Sequence, residues 1–292
     1  MPELPEVETV VRGLNRLILK KKVAKVSHDW PKSFPNSELE VQEFLIGAKI
    51  QQVRRRAKAI IVELDNGWVL VGHLKMTGQF VYRGEENWGA GHPNDDFLAA
   101  LPNKSTRVEI VFEDGSKLFF NDQRKFGWLK LLPSAEVQNL PFFQKVGPEP
   151  LEDDFTFEDF LPRFDRKKNS MIKPIILDQT VIAGVGNIYA DEALWRAKIH
   201  PETRVKNLSR EDFQNLYEAI RFVMKTSIEK GGSTDRNYVK ADGSRGNYLD
   251  YAAVFRKENT PCQRCGEQIL KIKVGGRGTH FCSRCQILRG EK

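Results

Sequence analysis

Cysteine is scarce and confined to one short segment. The 292 residues include four cysteines, and all of them lie between positions 262 and 285. None is left elsewhere for a disulfide framework, which excludes the small disulfide-stabilised class of secreted domains and favours a reducing cytoplasm. The chain is long enough to bury a hydrophobic core without such cross-links.

Long apolar runs are also missing. Among the longest are residues 68–74 (WVLVGHL) and 181–186 (VIAGVG), well short of the roughly 18 apolar residues of a membrane-spanning helix. The first residues, MPELPEVETVV, are acidic where a secretory signal is basic. We therefore expect neither a signal peptide nor a membrane partner.

An excess of acidic residues is absent as well. Lysine and arginine number 46 against 39 aspartate and glutamate residues, for a net charge of +7. This sign suits a polyanionic partner such as nucleic acid. By itself the charge balance favours a solvated basic surface over a nucleic-acid partner, so the motifs must decide.

The N-terminal half predicts β-structure. Residues 59–64, 68–73 and 107–112 are short β-branched runs, separated by turn sequences such as Asp65-Asn66-Gly67. Their spacing favours an antiparallel β-sandwich over alternating strands and helices. A helix with Pro5 in its first turn precedes them, and residues 84–106 are expected to form a long loop.

Beyond a proline-marked linker the pattern becomes helical. A three- and four-residue apolar spacing predicts an amphipathic helix through Phe213, Leu216, Tyr217, Ile220 and Met224. The whole is an α+β multidomain chain. We predict four parts: a β-sandwich domain over 1–135, a linker over 136–152, a helical domain over 153–251 and a small metal module over 252–292.

The cysteines have the spacing of a metal site. Two C-x2-C pairs are separated by 16 residues, which is typical of a four-cysteine zinc ribbon. Four thiolates would close a tetrahedral site and leave no position for water, so one structural Zn²⁺ is expected at Cys262, Cys265, Cys282 and Cys285. His280 is the rival ligand, but four thiolates already satisfy the metal.

The predicted ribbon hairpin carries Gly275-Gly276-Arg277-Gly278 at its tip. Glycines allow close backbone approach, and a guanidinium offers a bidentate fork. A phosphate backbone is the natural target for Arg277. The alternative is a solvated tip with a spare charge.

The first residues are the sharpest candidate for chemistry. Removal of Met1 would leave Pro2 with a free secondary amine, and an α-amino group with a pKa of about 8 is partly uncharged at physiological pH. Such an amine could attack a sugar C1′ and form an iminium, with Glu3 and Glu6 close by to manage protons. Taken alone, the string also fits an ordinary helix start.

Several motifs occur together and in order along the chain. They are PELPEVETV at the start, Lys58 after three arginines, 73–76 (HLKM), 147–150 (GPEP), the run 177–201 and the terminal cysteine pairs. Over essentially its whole length the sequence resembles bacterial formamidopyrimidine-DNA glycosylases. The resemblance implies a β-sandwich with an N-terminal helix, a helical domain with a helix–two-turns–helix element, and a zinc ribbon.

The resemblance also implies a bifunctional repair enzyme. Family members remove an oxidised purine and then cleave the strand by β,δ-elimination through a Schiff base. On that pattern Pro2 is the nucleophile, Glu3 the main general acid/base, Glu6 a second active-site carboxylate and Lys58 a phosphate-holding residue that assists the chemistry.

The same resemblance implies a set of DNA contacts. Lys173 and Asn187 would contact phosphate, and Met76, Arg124 and Phe126 would fill the gap left by a flipped nucleotide. By residue type alone, Met76 and Phe126 fit a sandwich core equally well. The full expected set is His73, Met76, Arg124, Phe126, Lys173, Asn187, Tyr238 and Arg277, with residues 231–251 as a loop over the flipped base.

The implied partner is damaged double-stranded DNA, bound by a monomer in the bacterial cytoplasm at the nucleoid. Three alternatives stay open. An endonuclease VIII-like enzyme for oxidised pyrimidines is disfavoured by Leu4 and by the 231–251 loop. A non-catalytic damage-binding protein should lack Pro2, and a generic zinc-ribbon module would not explain the first 250 residues.

Overall fold

The computed structural model describes residues 1–92, 94–233 and 248–290. These residues form two compact units, one containing 1–144 with 230–233 and the other 145–229 with 248–290. Within the described residues, no helix has the length and apolar character needed to cross a membrane.

Within its described residues, the first unit contains two antiparallel sheets and three α-helices. Its helices are α1 (Leu4–Ile18), α2 (Glu38–Phe44) and α3 (Pro141–Lys145). Its strands are β1 (Val23–His28), β2 (Ile50–Arg56), β3 (Ala59–Leu64), β4 (Trp68–His73), β5 (Gly78–Arg83), β6 (Asn87–Gly91), β7 (Thr106–Phe112), β8 (Lys117–Asp122) and β9 (Trp128–Pro133). One sheet has the order β1-β7-β8-β5-β6 and the other β2-β3-β4-β9.

Both sheets and α1 contribute to one hydrophobic core. Val10 and Leu14 of α1 belong to the same buried cluster as Val62 of the four-stranded sheet and Phe119 of the five-stranded sheet. The opposite face of the four-stranded sheet is covered by the segment that includes Phe143. The predicted β-sandwich with an N-terminal helix is confirmed.

The prediction of a long loop over 84–106 was wrong in part. Strand β6 lies in this stretch and pairs with β5, and a short 3₁₀ turn follows at Asp95–Phe97. The sequence NWGAG lacks the β-branched residues of a typical strand. Its glycines are required by packing, because a Cβ at Gly89 would lie 2.5 Å from the ring of Phe97.

The second unit is helical and ends in a two-stranded ribbon. Its helices are α4 (Phe157–Phe160), α5 (Ile172–Ile176), α6 (Asn187–Arg196), α7 (Arg210–Glu229) and α8 (Tyr248–Tyr251), and its strands are β10 (Ile269–Val274) and β11 (Arg277–Cys282). Helix α7 buries the predicted apolar face, although Tyr217 stays half-exposed. The expected fold class is confirmed for the described residues.

Gly13 of α1 offers a test of how β6 is held. Helix propensity alone predicts that Gly13→Ala stabilises the protein by about 1 kcal/mol. A Cβ there would lie 2.0 Å from the buried Trp88 ring of β6, so we expect destabilisation by about 1–3 kcal/mol instead. Thermal unfolding of Gly13→Ala, Trp88→Leu and the double variant checks this, since the two changes should couple. A higher melting temperature for Gly13→Ala would contradict this packing.

Candidate active site and nucleic-acid interface

The start of the chain is anchored rather than frayed. Pro2 is buried and Glu3 is only 4% exposed. The Glu6 carboxylate accepts the Glu3 N–H at 2.8 Å through one oxygen and the Ser233 N–H at 2.7 Å through the other. Glu6 therefore holds both the first turn of α1 and the backbone of Ser233.

His92 is a residue near the amino terminus that the sequence did not single out. Burial lowers the pKa of its imidazole, and the positive charge of the amino terminus lowers that pKa further, while Asp122 opposes the shift. His92 follows β6 and donates its backbone N–H to Gly78 at 3.0 Å. His92 could have been predicted near the amino terminus only if β6 had been predicted, and the sequence of that strand is typical of a loop.

Lys58 and His73 lie on adjoining strand ends. Lys58 belongs to the two-residue turn between β2 and β3, and the next residue, Ala59, pairs with His73. Burial lowers the pKa of His73 to about 3, with further lowering from the positive charges of Lys75 and Lys58. His73 Nδ1 accepts the Lys75 N–H at 3.0 Å. The imidazole is therefore neutral, with its proton on Nε2.

The three predicted gap-filling side chains are at the surface. Met76 is 37% exposed and Phe126 54% exposed, so neither belongs to the sandwich core. The Arg124 guanidinium lies over the Phe126 ring, 4.9 Å from its centroid. Exposed apolar side chains beside a cation suit contact with nucleic-acid bases.

The four cysteines converge as a metal site requires. Their sulfur atoms all lie within 4.8 Å of one another, and tetrahedral zinc with Zn–S bonds of about 2.3 Å places sulfurs about 3.8 Å apart. Cys262 and Cys282 are buried, and the Trp195 indole N–H points to the Cys262 sulfur at 3.4 Å. Such a closed four-thiolate set fits one structural Zn²⁺.

His280, the rival ligand, has other partners. Its Nδ1 lies 3.1 Å from Asp191 and its Nε2 lies 3.4 Å from Glu258. The His280 ring thus lies on β11 between two carboxylates, which agrees with zinc binding by thiolates alone.

The ribbon tip is fixed to the start of α6. Gly275 and Gly276 both have positive φ, as a two-residue hairpin turn needs. Asn187 begins α6, and its side-chain amide donates to the Gly278 carbonyl at 2.9 Å. The adjacent Arg277 is exposed. The predicted phosphate contacts Asn187 and Arg277 are therefore neighbours in this unit.

Lys173, a predicted phosphate contact, is buried in this unit. Its side chain is 0% exposed, and its ammonium lies 2.6 Å from Asp191 Oδ1. The same Nζ donates to Thr279 Oγ1 at 2.7 Å and to the Gly278 carbonyl at 3.1 Å. Lys173 therefore anchors the ribbon to the helical unit, and its expected phosphate contact stays a prediction.

Glu192 is a second buried anchor that the sequence did not indicate. Its carboxylate accepts three consecutive backbone N–H groups, from Ala253, Val254 and Phe255, at 2.8 to 2.9 Å. Burial raises the pKa of Glu192, and these three hydrogen bonds oppose that shift. The segment that enters the ribbon is thus held by one side chain of α6.

Two expectations concern residues that the structure does not describe. Tyr238, a predicted DNA contact, and most of the predicted 231–251 loop lie outside the described residues.

The β-sandwich, the turn between α5 and α6, and the four-thiolate ribbon define a nucleic-acid-binding class of zinc protein, and comparisons with known proteins specify the family. The formamidopyrimidine-DNA glycosylase N-terminal domain model matches residues 1–129. The H2TH domain model of the same enzymes matches residues 146–238, and a zinc finger found in FPG and IleRS matches residues 260–287.

Full-length relatives agree. A formamidopyrimidine-DNA glycosylase of Pelotomaculum thermopropionicum is 41% identical over 99% of this chain and 100% of its own. One from Herpetosiphon aurantiacus is 44% identical over 98% and 100%. The chain belongs to the formamidopyrimidine-DNA glycosylase family.

Solved structures show the same fold. A Lactococcus lactis FPG variant in complex with Fapy-dG containing DNA matches with a TM-score of 0.86 and 36% identity, over 98% of this chain and 99% of that one. The Lactococcus lactis protein with abasic-site DNA matches with a TM-score of 0.85 and 36% identity, over 97% and 99%.

The buried pair of Lys173 and Asp191 generates a stability prediction. Lys173→Met should lower the unfolding free energy of the second unit by about 3–5 kcal/mol, because it leaves a buried carboxylate uncompensated. Lys225→Met, an exposed position of α7, is the matched control and should change little. Adding Asp191→Asn to Lys173→Met should recover part of the loss. Equal unfolding curves for Lys173→Met and the control would show that the pair is not an anchor.

Proposed function

We propose that the chain is a base-excision enzyme that removes oxidised purines, 8-oxoguanine and formamidopyrimidines, from duplex DNA. We further propose that it cleaves the strand at the resulting abasic site by β,δ-elimination. Membership of the family supports the first activity. The support for the second is the buried chain terminus, where Glu6 holds the backbone of Glu3 directly after Pro2.

Once Met1 is removed, the amine of Pro2 acts as the nucleophile. Its lone pair forms a bond to C1′ of the damaged nucleotide, and the bond between C1′ and the base breaks with its electrons leaving on the base. The base takes up a proton, and the proline nitrogen gives up its own. The C1′–O4′ bond then breaks with its electrons going to O4′, which is protonated to a hydroxyl, and an iminium is left between the proline nitrogen and C1′.

Glu3 is then the proton-transfer group. It lies next to Pro2 and is buried, which suits a general acid/base at a water-poor position. The iminium acidifies C2′, so loss of a proton there expels the 3′ phosphate, and a second elimination expels the 5′ phosphate. Glu6 is placed by its two backbone hydrogen bonds to position this segment.

The DNA contacts form the rest of the proposal. Enzymes that act on a base take it out of the stack, and Met76, Arg124 and Phe126 are proposed to fill the gap. The groups proposed to bind phosphate are Lys58, the Nε2–H of neutral His73, Lys173, Asn187 and Arg277. Tyr238 is kept as a proposed contact on the sequence resemblance alone.

The organisation of the chain is also a proposal. We keep the domain bounds 1–135, 136–152, 153–251 and 252–292, a monomeric state, and activity in the bacterial cytoplasm at the nucleoid. The support is the sequence pattern and the confinement of cysteine to the zinc ribbon.

Borohydride trapping tests the reaction. Protein shown by intact mass to lack Met1 should form a covalent complex with a duplex that contains 8-oxoguanine opposite cytosine. Pro2→Gly should lower the yield at least about tenfold, since it replaces the secondary amine that forms the iminium. A wild-type protein that excises the base but gives no crosslink would exclude the lyase step.

Two rival functions are separated in the same assay. An endonuclease VIII-like enzyme would release thymine glycol faster than 8-oxoguanine. A non-catalytic damage-binding protein would bind the 8-oxoguanine duplex without releasing the base. The proposal requires faster release of 8-oxoguanine.

Arg277→Ala tests the ribbon tip. Loss of one phosphate contact should weaken binding to all duplexes and reduce the slope of log K against log salt by about 0.9. Arg284→Ala removes the same charge from an exposed position between the zinc-binding cysteines and should leave the slope closer to that of wild type. Zinc content should stay at one per chain in both. An unchanged slope in Arg277→Ala would remove this residue from the interface.

A further inference from the structure

The buried carboxylate of Asp122 lies between the two turns that carry the proposed gap-filling side chains. We propose that Asp122 is a positioning residue, which fixes Met76 relative to Arg124 and Phe126 so that both turns can enter the duplex together. This inference rests on the proposed function and adds to it a group that touches no DNA.

Asp122 ends β8 and is 0% exposed. Its Oδ1 accepts the Thr77 hydroxyl and, at 3.2 Å, the Arg124 N–H. Its Oδ2 accepts the Gly127 N–H at 2.6 Å. One side chain therefore holds the residue after Met76 and the residues on both sides of Lys125 and Phe126.

The backbone of Asp122 is itself fixed. Its N–H donates to the Ser105 carbonyl at 2.7 Å, and its carbonyl accepts the Arg107 Nε–H at 3.1 Å. Arg107 is 2% exposed. The Asp122 carboxylate thus projects from a rigid strand end. Because both turns are hydrogen-bonded to it, their positions relative to each other are fixed.

Both turns need such support because each has an unfavourable backbone conformation. Lys75, directly before Met76, has φ of 51°, and Lys125, directly before Phe126, has φ of 58°. The left-handed region is unfavourable for a non-glycine residue, because its Cβ lies too close to the following carbonyl oxygen. These lysines turn the chain so that the following apolar side chain points outward, and the hydrogen bonds to Asp122 offset the cost.

At position 122 both side-chain oxygens must accept hydrogen bonds. All three partners of the carboxylate are N–H or O–H groups, and ionised aspartate is acceptor-only. An asparagine would turn an NH₂ towards one of these donors. Close packing leaves no room for rearrangement, since a Cβ at Gly127 would lie 2.8 Å from the Phe120 ring and 3.1 Å from Asp122 Oδ2.

Displacing one turn relative to the other should impair base extrusion more than the later chemistry. Side chains from two separate turns must fill one gap, and misplacement by about 1 Å at a functional site costs up to about a hundredfold in rate. An abasic site has no base to extrude. Crosslinking to abasic DNA should therefore depend much less on Asp122 than excision of 8-oxoguanine does.

The experiment compares Asp122→Asn and Thr77→Val with wild type in three measurements. These are single-turnover excision from an 8-oxoguanine:cytosine duplex, borohydride crosslinking to an abasic duplex, and fluorescence of a 2-aminopurine next to the lesion, which reports unstacking. Asp114→Asn is the matched control, because Asp114 also accepts hydrogen bonds at a turn of the same sheet, including the Ser116 N–H at 3.0 Å. Thr77→Ser keeps the hydroxyl and should behave as wild type.

We expect Asp122→Asn and Thr77→Val to slow excision by about 10- to 100-fold, the effect of losing a hydrogen bond to a buried charge. The 2-aminopurine fluorescence that reports unstacking should decrease together with the excision rate, while crosslinking to abasic DNA stays near the wild-type level. Equal losses of excision and crosslinking in both variants, or excision as fast as in Asp114→Asn, would overturn the positioning role. Failure of the wild-type protein to excise 8-oxoguanine would instead overturn the proposed function on which the role rests.

Discussion

Two backbone N–H groups converge on the carboxylate of Glu6, and the placement of the chain terminus depends on them. A terminus is normally the least ordered part of a domain, whereas here Pro2 and Glu3 are buried at the start of α1. Helix α1 is held in turn by the apolar face that it buries against both sheets. A nucleophile at the first residue of the mature chain is useful only under this constraint, because a frayed amine could not meet C1′ in a defined geometry.

Buried carboxylates hold irregular segments in place at three other sites of the molecule. Buried carboxylates accept backbone N–H groups or pair with a buried lysine: Glu192 holds the entry to the ribbon, Asp191 pairs with Lys173 beneath its tip, and Asp122 joins two turns of the sandwich. A hydrogen bond to a charged group is stronger than one between neutral groups. Short irregular segments can therefore be held rigidly without lengthening the strands and helices that flank them.

The parts of the fold that the sequence predicted correctly are those set by local chemistry. The spacing of the cysteines follows from the coordination of zinc, and the apolar period of α7 follows from helix geometry. Both features could therefore be predicted from the sequence. Strand β6 was not predicted, because its Gly89 is explained by the ring of Phe97, which packs against it only in the folded chain. A sequence pattern does not show that a glycine is required by packing against a ring from another part of the fold.

Site residues show the same division. Lys173 was assigned to phosphate by the family resemblance, and that role stays a prediction. Its burial could not be predicted, because Asp191 and the ribbon meet it only in the tertiary structure. For Met76 and Phe126 residue type could not decide between core and surface, and their exposure decided it. His92 and Asp122 carried no motif at all. The roles of Pro2, Glu3 and Lys58 stay predictions, supported by their placement.

The central claim is that the chain's own terminus forms the bond to DNA. The most direct measurement is the location of that bond by mass spectrometry of peptides from the borohydride-fixed complex with an 8-oxoguanine duplex. The added sugar mass should be found on the N-terminal peptide, with fragment ions assigning it to Pro2. A stable adduct on a lysine such as Lys58, with an unmodified N-terminal peptide, would contradict the claim.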